Sequence, residues 1–409
     1  MRKWLALIVL AFAALPVFAQ QATPAAAGNP FFEEWTTPFG VPPFGQIKEA
    51  HYLPAFKEGI ARERKEVDAI VANSEAPTFT NTLEVLDRSG EFLERVQIVF
   101  YGQLSAETND TLQGIAKEVA PMLSALNDDI NLNETLFARV KAVWEKRDAL
   151  GLEPEQRRLV EETYKDFVRG GANLEVQGKE RLRAINKELS LLGLKFGDNV
   201  LKETNAFRLV IERKEDLAGL PPGVMSAAAD AAKSAKLEGK WVFGLQAPSI
   251  WPFLQYADNR ELRRQILTAY ITRGDHGDAS DNKAILSKIA ALRAEKAQLL
   301  GFRTCADFVL DRNMAKVPSK VYGLLDQLWT PALGVAQKEA ADIQGAIKAD
   351  GQEFLIELVG SPAEGLKQTF TQPSPHTLLV HEYIYRYEDF DGFFTNSNVT
   401  ALTKATEKQ

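Results

Sequence analysis

The strongest constraint in this sequence is a set of apolar stripes at helical spacing. The first stripe consists of Leu182, Ile185, Leu189, Leu192 and Phe196. Residues three and four apart lie on one face of an α-helix, so this stripe predicts a long amphipathic helix from about residue 174 to 203. From His51 onward the same period dominates the chain, and we predict a mostly α fold.

Two further stripes predict two more long helices. One stripe consists of Ile285, Ile289, Leu292 and Leu299, and the other consists of Val321, Leu324, Leu325, Leu328, Ala336, Ile343 and Ile347. The first of these helices should run from an N-cap at Ser280 or Asp281 to a stop at Gly301. The second should be entered through Pro318 and left at Asp350 and Gly351. We expect all three stripes to form core.

A small α/β insertion is predicted around residues 205–247. The strings FRLVIE (207–212) and KWVFGLQ (240–246) are rich in β-branched and aromatic residues, and a helical stretch lies between them at about 225–236. No repeat of fixed period is present in the sequence, which argues against a solenoid.

The first residues resemble a cleaved export signal. Arg2 and Lys3 precede an apolar run from Leu5 to Leu15, and small residues lead up to Ala19. The apolar run is too short to span a bilayer, so a signal at residues 1–19 is favoured over a membrane anchor. We expect cleavage after Ala19, a linker at residues 20–28, and a periplasmic or secreted protein with no membrane contact after cleavage.

Charge and cysteine content exclude several classes of protein. Loss of Arg2 and Lys3 with the signal would change the formal charge from −7 to −9, and elsewhere only scattered basic pairs such as Arg263 and Arg264 occur. An acidic chain without a basic patch is a poor nucleic-acid partner. Cys305 is the sole cysteine, so no intramolecular disulfide can form. Its helical, apolar surroundings favour a buried structural thiol over a catalytic one.

An aromatic, proline-rich arm follows the linker. Phe31, Phe32, Trp35, Phe39 and Phe44 alternate with four prolines. Prolines at these positions prevent a regular helix, so the rings must pack on another part of the molecule. An extended arm packed on the helical body is the favoured interpretation, and an aromatic-lined peptide groove is the alternative.

Two strings contain residues that ligate metals. RGDHGDASDN (273–282) gathers Asp275, His276, Asp278 and Asp281. It lacks the EF-hand spacing and lies directly before a helix, so a polar loop with an N-cap is favoured over a cation site. The string HEYIY (381–385) is one residue short of the HExxH zinc signature.

Several strings resemble bacterial peptidyl-dipeptidases of the thimet oligopeptidase family. They are NPFF..W.TPFG.PPFG.IK..HY.PAF (29–56), PTF.NT (77–82) and Y..RG....DNK.I..KI..LR.EKA.LLGF (270–302), followed by RNMAKVP and LWTPAL. They occur in order between about residues 29 and 354. The match is to the N-terminal half of the family.

The resemblance implies one lobe of a two-lobed, mostly helical channel peptidase. Members of the family are zinc enzymes that release C-terminal dipeptides from short peptides. Their zinc is held by the two histidines of HExxH and by a Glu on a following helix, and the Glu of the motif activates the water. In the family this motif lies beyond the matched region, so no catalytic, cofactor-binding or metal-binding residue is assigned here.

The segment from 355 to 409 does not resemble the family. Tyr385 occupies the position of the second zinc histidine of HExxH, and His376 is five residues from His381, which places the two on different faces of a helix. We therefore expect no zinc site at HEYIY and an inactive chain. A gene interrupted or frameshifted near Phe354 would explain this segment. HExxH in another downstream reading frame would support that explanation, and its absence from every frame would contradict it.

Two functional classes remain open from the sequence. The chain is either the non-catalytic part of a zinc peptidyl-dipeptidase or a peptide-binding or partner-binding module that kept one channel wall. Substrate preference and oligomeric state do not follow from the sequence.

Overall fold

The computed structural model describes residues 28–351 and the strands at 359–361, 366–370 and 382–386. The predicted export signal at 1–19 and most of segment 355–409 lie outside the described residues. The chain divides into two compact units, Met1–Leu191 and Leu192–Gln409. The mostly α fold is confirmed, and the units are described separately below as unit 1 and unit 2.

Unit 1 is built of helices. They are α1 (Glu49–Ala72), α2 (Val85–Arg88), α3 (Glu91–Ala106), α4 (Asp110–Asn131), α5 (Glu134–Lys146), α6 (Pro154–Arg169) and the first half of α7 (Val176–Ala206). A π-helical turn at Phe79–Glu84 leads into α2. Asparagine side chains accept hydrogen bonds from backbone N–H groups at the starts of α4 and α5, as N-caps do.

Helix α1 is the centre of unit 1, because α3, α4 and α5 all pack against it. Its buried face includes Tyr52 and Phe56, and Phe100 of α3 lies edge-on to both rings at centroid distances of 5.1 Å. Gly59 lets the backbones of α1 and α3 approach closely, since a Cβ at this position would stand 3.0 Å from Leu93 Cδ1. Edge-to-face ring pairs add to the stabilisation from burial.

The first half of the aromatic arm is packed on this core. Phe31 is fully buried, with its ring 5.4 Å from the ring of Tyr52. The guanidinium of Arg95 lies 4.8 Å from the Trp35 ring centroid and donates to the carbonyl of Phe31 at 2.8 Å. The packed-arm interpretation is therefore correct for residues 30–35.

A second apolar cluster joins the far end of α1 to α5 and α6. It contains Val67, Ile70, Leu83, Leu136, Phe137, Val140, Val143, Val160, Phe167 and Ala172. Buried Arg139 beside it donates to the carbonyl oxygens of Asn73 and Glu75 at 2.7 and 3.2 Å. This guanidinium satisfies backbone acceptors in the connection after α1 and so fixes its path.

Unit 2 contains the predicted α/β insertion. Strands β1 (Leu209–Ile211) and β2 (Trp241–Phe243) pair antiparallel, with Val210 opposite Val242. Helix α8 (Pro222–Ser234) connects them. Their inward residues pack with α9 (Ala247–Tyr256) and α10 (Arg260–Ile271), and the buried side chains there include Phe243, Ile250, Phe253 and Ile266.

The remaining described elements of unit 2 are mostly helices. They are the second half of α7, α11 (Lys283–Leu299), α12 (Cys305–Leu310), α13 (Pro318–Ala349), and the antiparallel strands β3 (Val359–Ser361), β4 (Leu366–Phe370) and β5 (Glu382–Arg386) in the order β3-β4-β5.

The predicted start of α11 is wrong by one or two residues. The helix is preceded by Asn282, which makes no side-chain cap and instead donates to the carbonyl of Phe196 at 3.1 Å. Asp281 still satisfies a backbone donor in the first turn of α11, because it accepts a hydrogen bond from the Lys283 N–H at 2.9 Å. The predicted stop is confirmed, because Gly301 has φ +84° just after the helix.

The bounds predicted for α13 are confirmed, but its stripe is not all core. Leu324, Leu325 and Leu328 are between 50% and 60% exposed, and Ala336 is the buried residue of this helix among the described residues. The expectation of burial is wrong for the first half of the helix. A stripe predicts a face that is suited to burial, whereas burial itself needs a neighbour.

Cys305 also differs from expectation, because it is half-buried rather than buried. It is the first residue of the short helix α12 and directly follows the N-cap residue Thr304. No helix among the described residues is both long enough and apolar enough to cross a membrane.

Two phenylalanines of the arm provide a matched stability test. We predict that Phe31→Ala lowers the free energy of unfolding by about 3–5 kcal/mol, because it empties a fully buried site. Phe39→Ala should change it by less than about 0.5 kcal/mol, because the Phe39 side chain is fully exposed. Urea unfolding of both variants measures this, and equal effects would contradict the packing described here.

Candidate functional site

Residues 382–385 of the near-HExxH string belong to a β-strand. Glu382–Arg386 form β5, which pairs antiparallel with β4 so that Tyr385 is opposite Lys367. His381 and His376 lie outside the described residues. Positions four apart in a strand are separated by about 13 Å, whereas a zinc ion bonds to its ligands at about 2 Å. The helical geometry on which HExxH depends is therefore absent from residues 382–386.

The polar loop at 273–282 is held by its own ion pairs. The ammonium of Lys283 bonds to the carboxylates of Asp275 and Asp281. Backbone N–H groups complete the loop, since Gly277 donates to Asp281 Oδ2 at 2.7 Å and Ser280 donates to Asp278 Oδ1 at 2.8 Å. The hydrogen bond from Lys283 is the main reason that the pKa of Asp281 falls to about 2.

The same loop is fastened to the second half of α7. Glu203 Oε2 accepts from the Gly274 N–H at 2.8 Å and lies 3.5 Å from His276 Nε2. Buried Asn199 donates to Asn282 Oδ1 at 2.9 Å. Gly274 has φ +77°, a conformation that favours glycine. These contacts support the interpretation of the string as a structural polar loop.

The described residues contain no group of three or more His, Cys, Asp or Glu side chains that could hold a metal ion. Glu203 Oε2 and His276 Nε2 lie 3.5 Å apart, and this pair offers two ligands rather than three. The donor set of the part that the structure describes therefore does not fit a catalytic zinc, which needs three protein ligands and an open position.

The second half of the aromatic arm is exposed. Phe39 is fully exposed at φ +60°, and Phe44 is half exposed. The expectation that every ring of the arm packs on the body is wrong here. Pro38 and Gly40 flank Phe39 in a short 3-10 turn.

A polar cleft of about 560 Å³ lies in unit 1, where α1 and α4 begin and α3 ends. It is lined by Ile47, Lys48, Glu49, Ala50, Gln103, Glu107, Asn109 and Leu112. Asn109 links two of its walls, because its Nδ2 donates to Glu49 Oε1 at 2.6 Å while its Oδ1 caps α4 by accepting from Leu112 N–H. The lining offers hydrogen-bonding groups but no histidine or cysteine.

Sequence reasoning missed this cleft because its walls come from separate segments. Asn109 was the available sequence signal for one wall of the cleft, since an asparagine directly before a helix is a typical N-cap. Nothing local indicates that Gln103 and Glu49 would lie near it.

Tyr52 is linked to the cleft through Gln103, which is one of the lining residues. Its ring is fully buried and its hydroxyl donates to Gln103 Oε1. Burial disfavours the phenolate and raises the pKa of Tyr52 to about 12. Tyr52 therefore stays neutral at physiological pH and acts as a hydrogen-bond donor.

Comparison with known proteins shows what the chain is similar to. Residues 253–358 match the family model described as Peptidase family M3. That region contains α10 to α13 and part of α9. The resemblance predicted from the strings at 270–302 and beyond is thereby confirmed.

The relatives are named peptidases. The chain is 38% identical over 325 residues to dipeptidyl carboxypeptidase of Salmonella typhimurium (80% of this chain and 48% of the relative). It is 37% identical over 319 residues to dipeptidyl carboxypeptidase of Escherichia coli K12 (78% and 47%). It is 30% identical over 318 residues to oligopeptidase A of E. coli (77% and 47%). The chain thus spans about half the length of the curated relatives it matches.

Tyr52 predicts an alkaline limit to stability. The unfolded chain releases this proton near pH 10, whereas the folded protein holds it to about pH 12, so stability falls as pH rises between these values. We predict that the loss attributable to Tyr52 has a slope of at most about 1.4 kcal/mol per pH unit. Tyr52→Phe should remove that slope and cost about 0.5–1.5 kcal/mol at pH 7 through the lost hydrogen bond. Parallel urea unfolding from pH 7 to 11.5 measures both effects, and identical slopes would contradict the assignment.

Proposed function

We propose that this chain is the non-catalytic part of a zinc peptidyl-dipeptidase of family M3. The observation that carries the proposal is the extent of the match. Four fifths of the chain align with dipeptidyl carboxypeptidase of S. typhimurium, yet the alignment accounts for under half of that relative. The substrate class of the whole enzyme is short peptides, from which it would release C-terminal dipeptides.

The chemistry of zinc hydrolysis explains why the chain should not catalyse on its own. HExxH needs two histidines four residues apart on a helix, with a Glu between them that activates a metal-bound water. The sequence contains four histidines, His51, His276, His376 and His381, and no two of them have that spacing. Because the described residues do not fit a zinc site, we assign no step of the reaction to them.

The contacts of the described residues favour a structural role over a catalytic one. The acidic cluster of the 273–282 loop is neutralised, because Lys283 pairs with Asp275 and Asp281. Catalytic sites instead hold carboxylates or imidazoles poised for proton transfer within reach of substrate. The Tyr52 hydroxyl already donates a hydrogen bond to Gln103, and its side chain is buried from solvent.

The domain organisation and location that we propose follow from the sequence pattern. Residues 1–19 would be an export signal, 20–28 a linker, 29–354 the family-like part and 355–409 a segment of different origin. The pattern of Arg2, Lys3 and the apolar run to Leu15 favours a periplasmic or secreted product. N-terminal sequencing of the exported protein tests the cleavage site at Ala19.

The direct test is a hydrolysis assay on the purified chain. We predict no release of dipeptide from an N-acetylated tetrapeptide in the presence of zinc, under conditions in which S. typhimurium dipeptidyl carboxypeptidase releases it. Zinc-dependent release that is lost in a Glu382→Gln variant would overturn the proposal, because that carboxylate would then be acting as the general base. Release that survives Glu382→Gln and a zinc chelator would come from a contaminant.

The same samples separate the alternative function. If the chain is a peptide-binding module, the tetrapeptide should bind tightly without being cleaved, as measured by calorimetry. The exposed Phe39 and the polar cleft beside Asn109 are the described features that favour such binding. Weak or absent binding favours the non-catalytic part over the module.

A further inference from the structure

Two glutamates of α1 lie against the start of α3. Gly90 directly precedes α3 and has no side chain to cap it, and its N–H donates to Glu66 Oε2 at 2.8 Å. The Glu63 carboxyl lies against the same glycine, because a Cβ on Gly90 would stand 2.7 Å from Glu63 Oε2. Residues three apart on a helix are neighbours, so two carboxyl groups of α1 meet one short stretch of backbone.

The Glu63 carboxyl has no compensating cation among the described residues. It is half-buried and makes no hydrogen bond or ion pair there. The two arginines beside it in sequence are engaged elsewhere, since Arg62 pairs with Glu58 at 2.8 Å and Arg64 pairs with Asp129 at 2.7 Å. A half-buried carboxyl without a partner is costly to keep charged.

The other charged groups around this junction do not supply a cation either. Glu91 and Glu94 lie in the first turn of α3 and add negative charge. Arg88 of α2 pairs with Glu84 at 2.8 Å. Lys65 is two positions from Glu63, so it projects about 200° away around α1. A proton is therefore the simplest means of neutralising this carboxyl.

The start of α3 has room for one negative charge rather than two. The positive end of the helix dipole stabilises a carboxylate, and Glu66 already fills that role at the Gly90 N–H. Burial is the main cause that raises the pKa of Glu63 above 4.5, and the charge of Glu66 raises it further. A protonated Glu63 carries an O–H donor beside the Glu66 carboxylate.

We propose that Glu63 and Glu66 form a proton-binding pair at the junction of α1 and α3, so that α3 packs on α1 more stably in mildly acidic than in neutral solution. Glu63 binds its proton more tightly in the folded protein than in the unfolded chain. This stabilisation is therefore fully present below about pH 4.5 and is lost as pH rises through the folded pKa. The inference goes beyond the proposed function and does not rest on it.

Hydrogen–deuterium exchange of α3 in the full chain tests the pair. Glu63→Gln is isosteric with the protonated side chain and should fold like the wild type. At pH 7.5 we predict that the amides of residues 91–100 exchange at least about threefold more slowly in Glu63→Gln than in the wild type. At pH 4.5 the ratio should fall toward one, because the wild-type carboxyl is then largely protonated.

Two further variants make the test specific. Glu66→Gln keeps an acceptor for the Gly90 N–H but removes the charge, so Glu63→Gln should have a smaller effect in that background. Glu75→Gln, the matched control, removes an exposed carboxylate from the connection after α1 and should leave α3 exchange unchanged at both pH values.

Three results would overturn the inference. One is exchange of α3 in Glu63→Gln that is unchanged or faster at pH 7.5, or slower by the same factor at both pH values. The second is an effect of Glu63→Gln that is undiminished in the Glu66→Gln background. The third is an equal effect of Glu75→Gln.

Discussion

Covering the apolar face of each long helix is the constraint on which the rest of this structure depends. Helix α1 meets it from several sides. Phe31 of the aromatic arm and Phe100 of α3 pack on Tyr52, α4 also contacts the helix, and α5 packs on its far end. Burial of one such side chain contributes about 1.5–3 kcal/mol, so a helix with this many neighbours needs no further partner. Helix α13 has a face of comparable apolar character that the described part of the chain leaves exposed. That contrast links the fold to the proposal that this chain is one part of a peptidase.

Local sequence patterns predicted where the helices and strands lie. The bounds of α7 and α13 followed from their apolar period, with Pro318 and Gly351 marking the ends of α13, and β1 and β2 followed from their β-branched residues. Burial was less predictable. Phe31 and Phe39 occupy similar sequence surroundings, yet one is fully buried and the other is fully exposed. What decides between them is the position of Tyr52, which is distant in sequence, and no local pattern encodes it.

The candidate site shows the same division between local and non-local information. The acidic string at 273–282 was correctly interpreted as a polar loop, because it lacks a cation-binding spacing. Its hydrogen bonds with Glu203 and Asn199 could be seen only in the structure. The cleft beside Asn109 could not be predicted, since three helices meet there. The near-HExxH string is a caution against short motifs, because residues 382–386 form a strand and the zinc signature requires a helix. Similarity to named peptidases, rather than any single motif, supports the functional proposal.

Hydrogen–deuterium exchange across α13 tests the central claim most directly. Exchange protection reports local opening, which is easiest where few apolar contacts hold an element in place. Amides from Tyr322 to Val335 should exchange much faster than those of α1 between Tyr52 and Ile60, because the α13 side chains are exposed and the α1 side chains are buried. Protection of α13 equal to that of α1 in the chain alone would contradict the account, because the apolar face would already be covered.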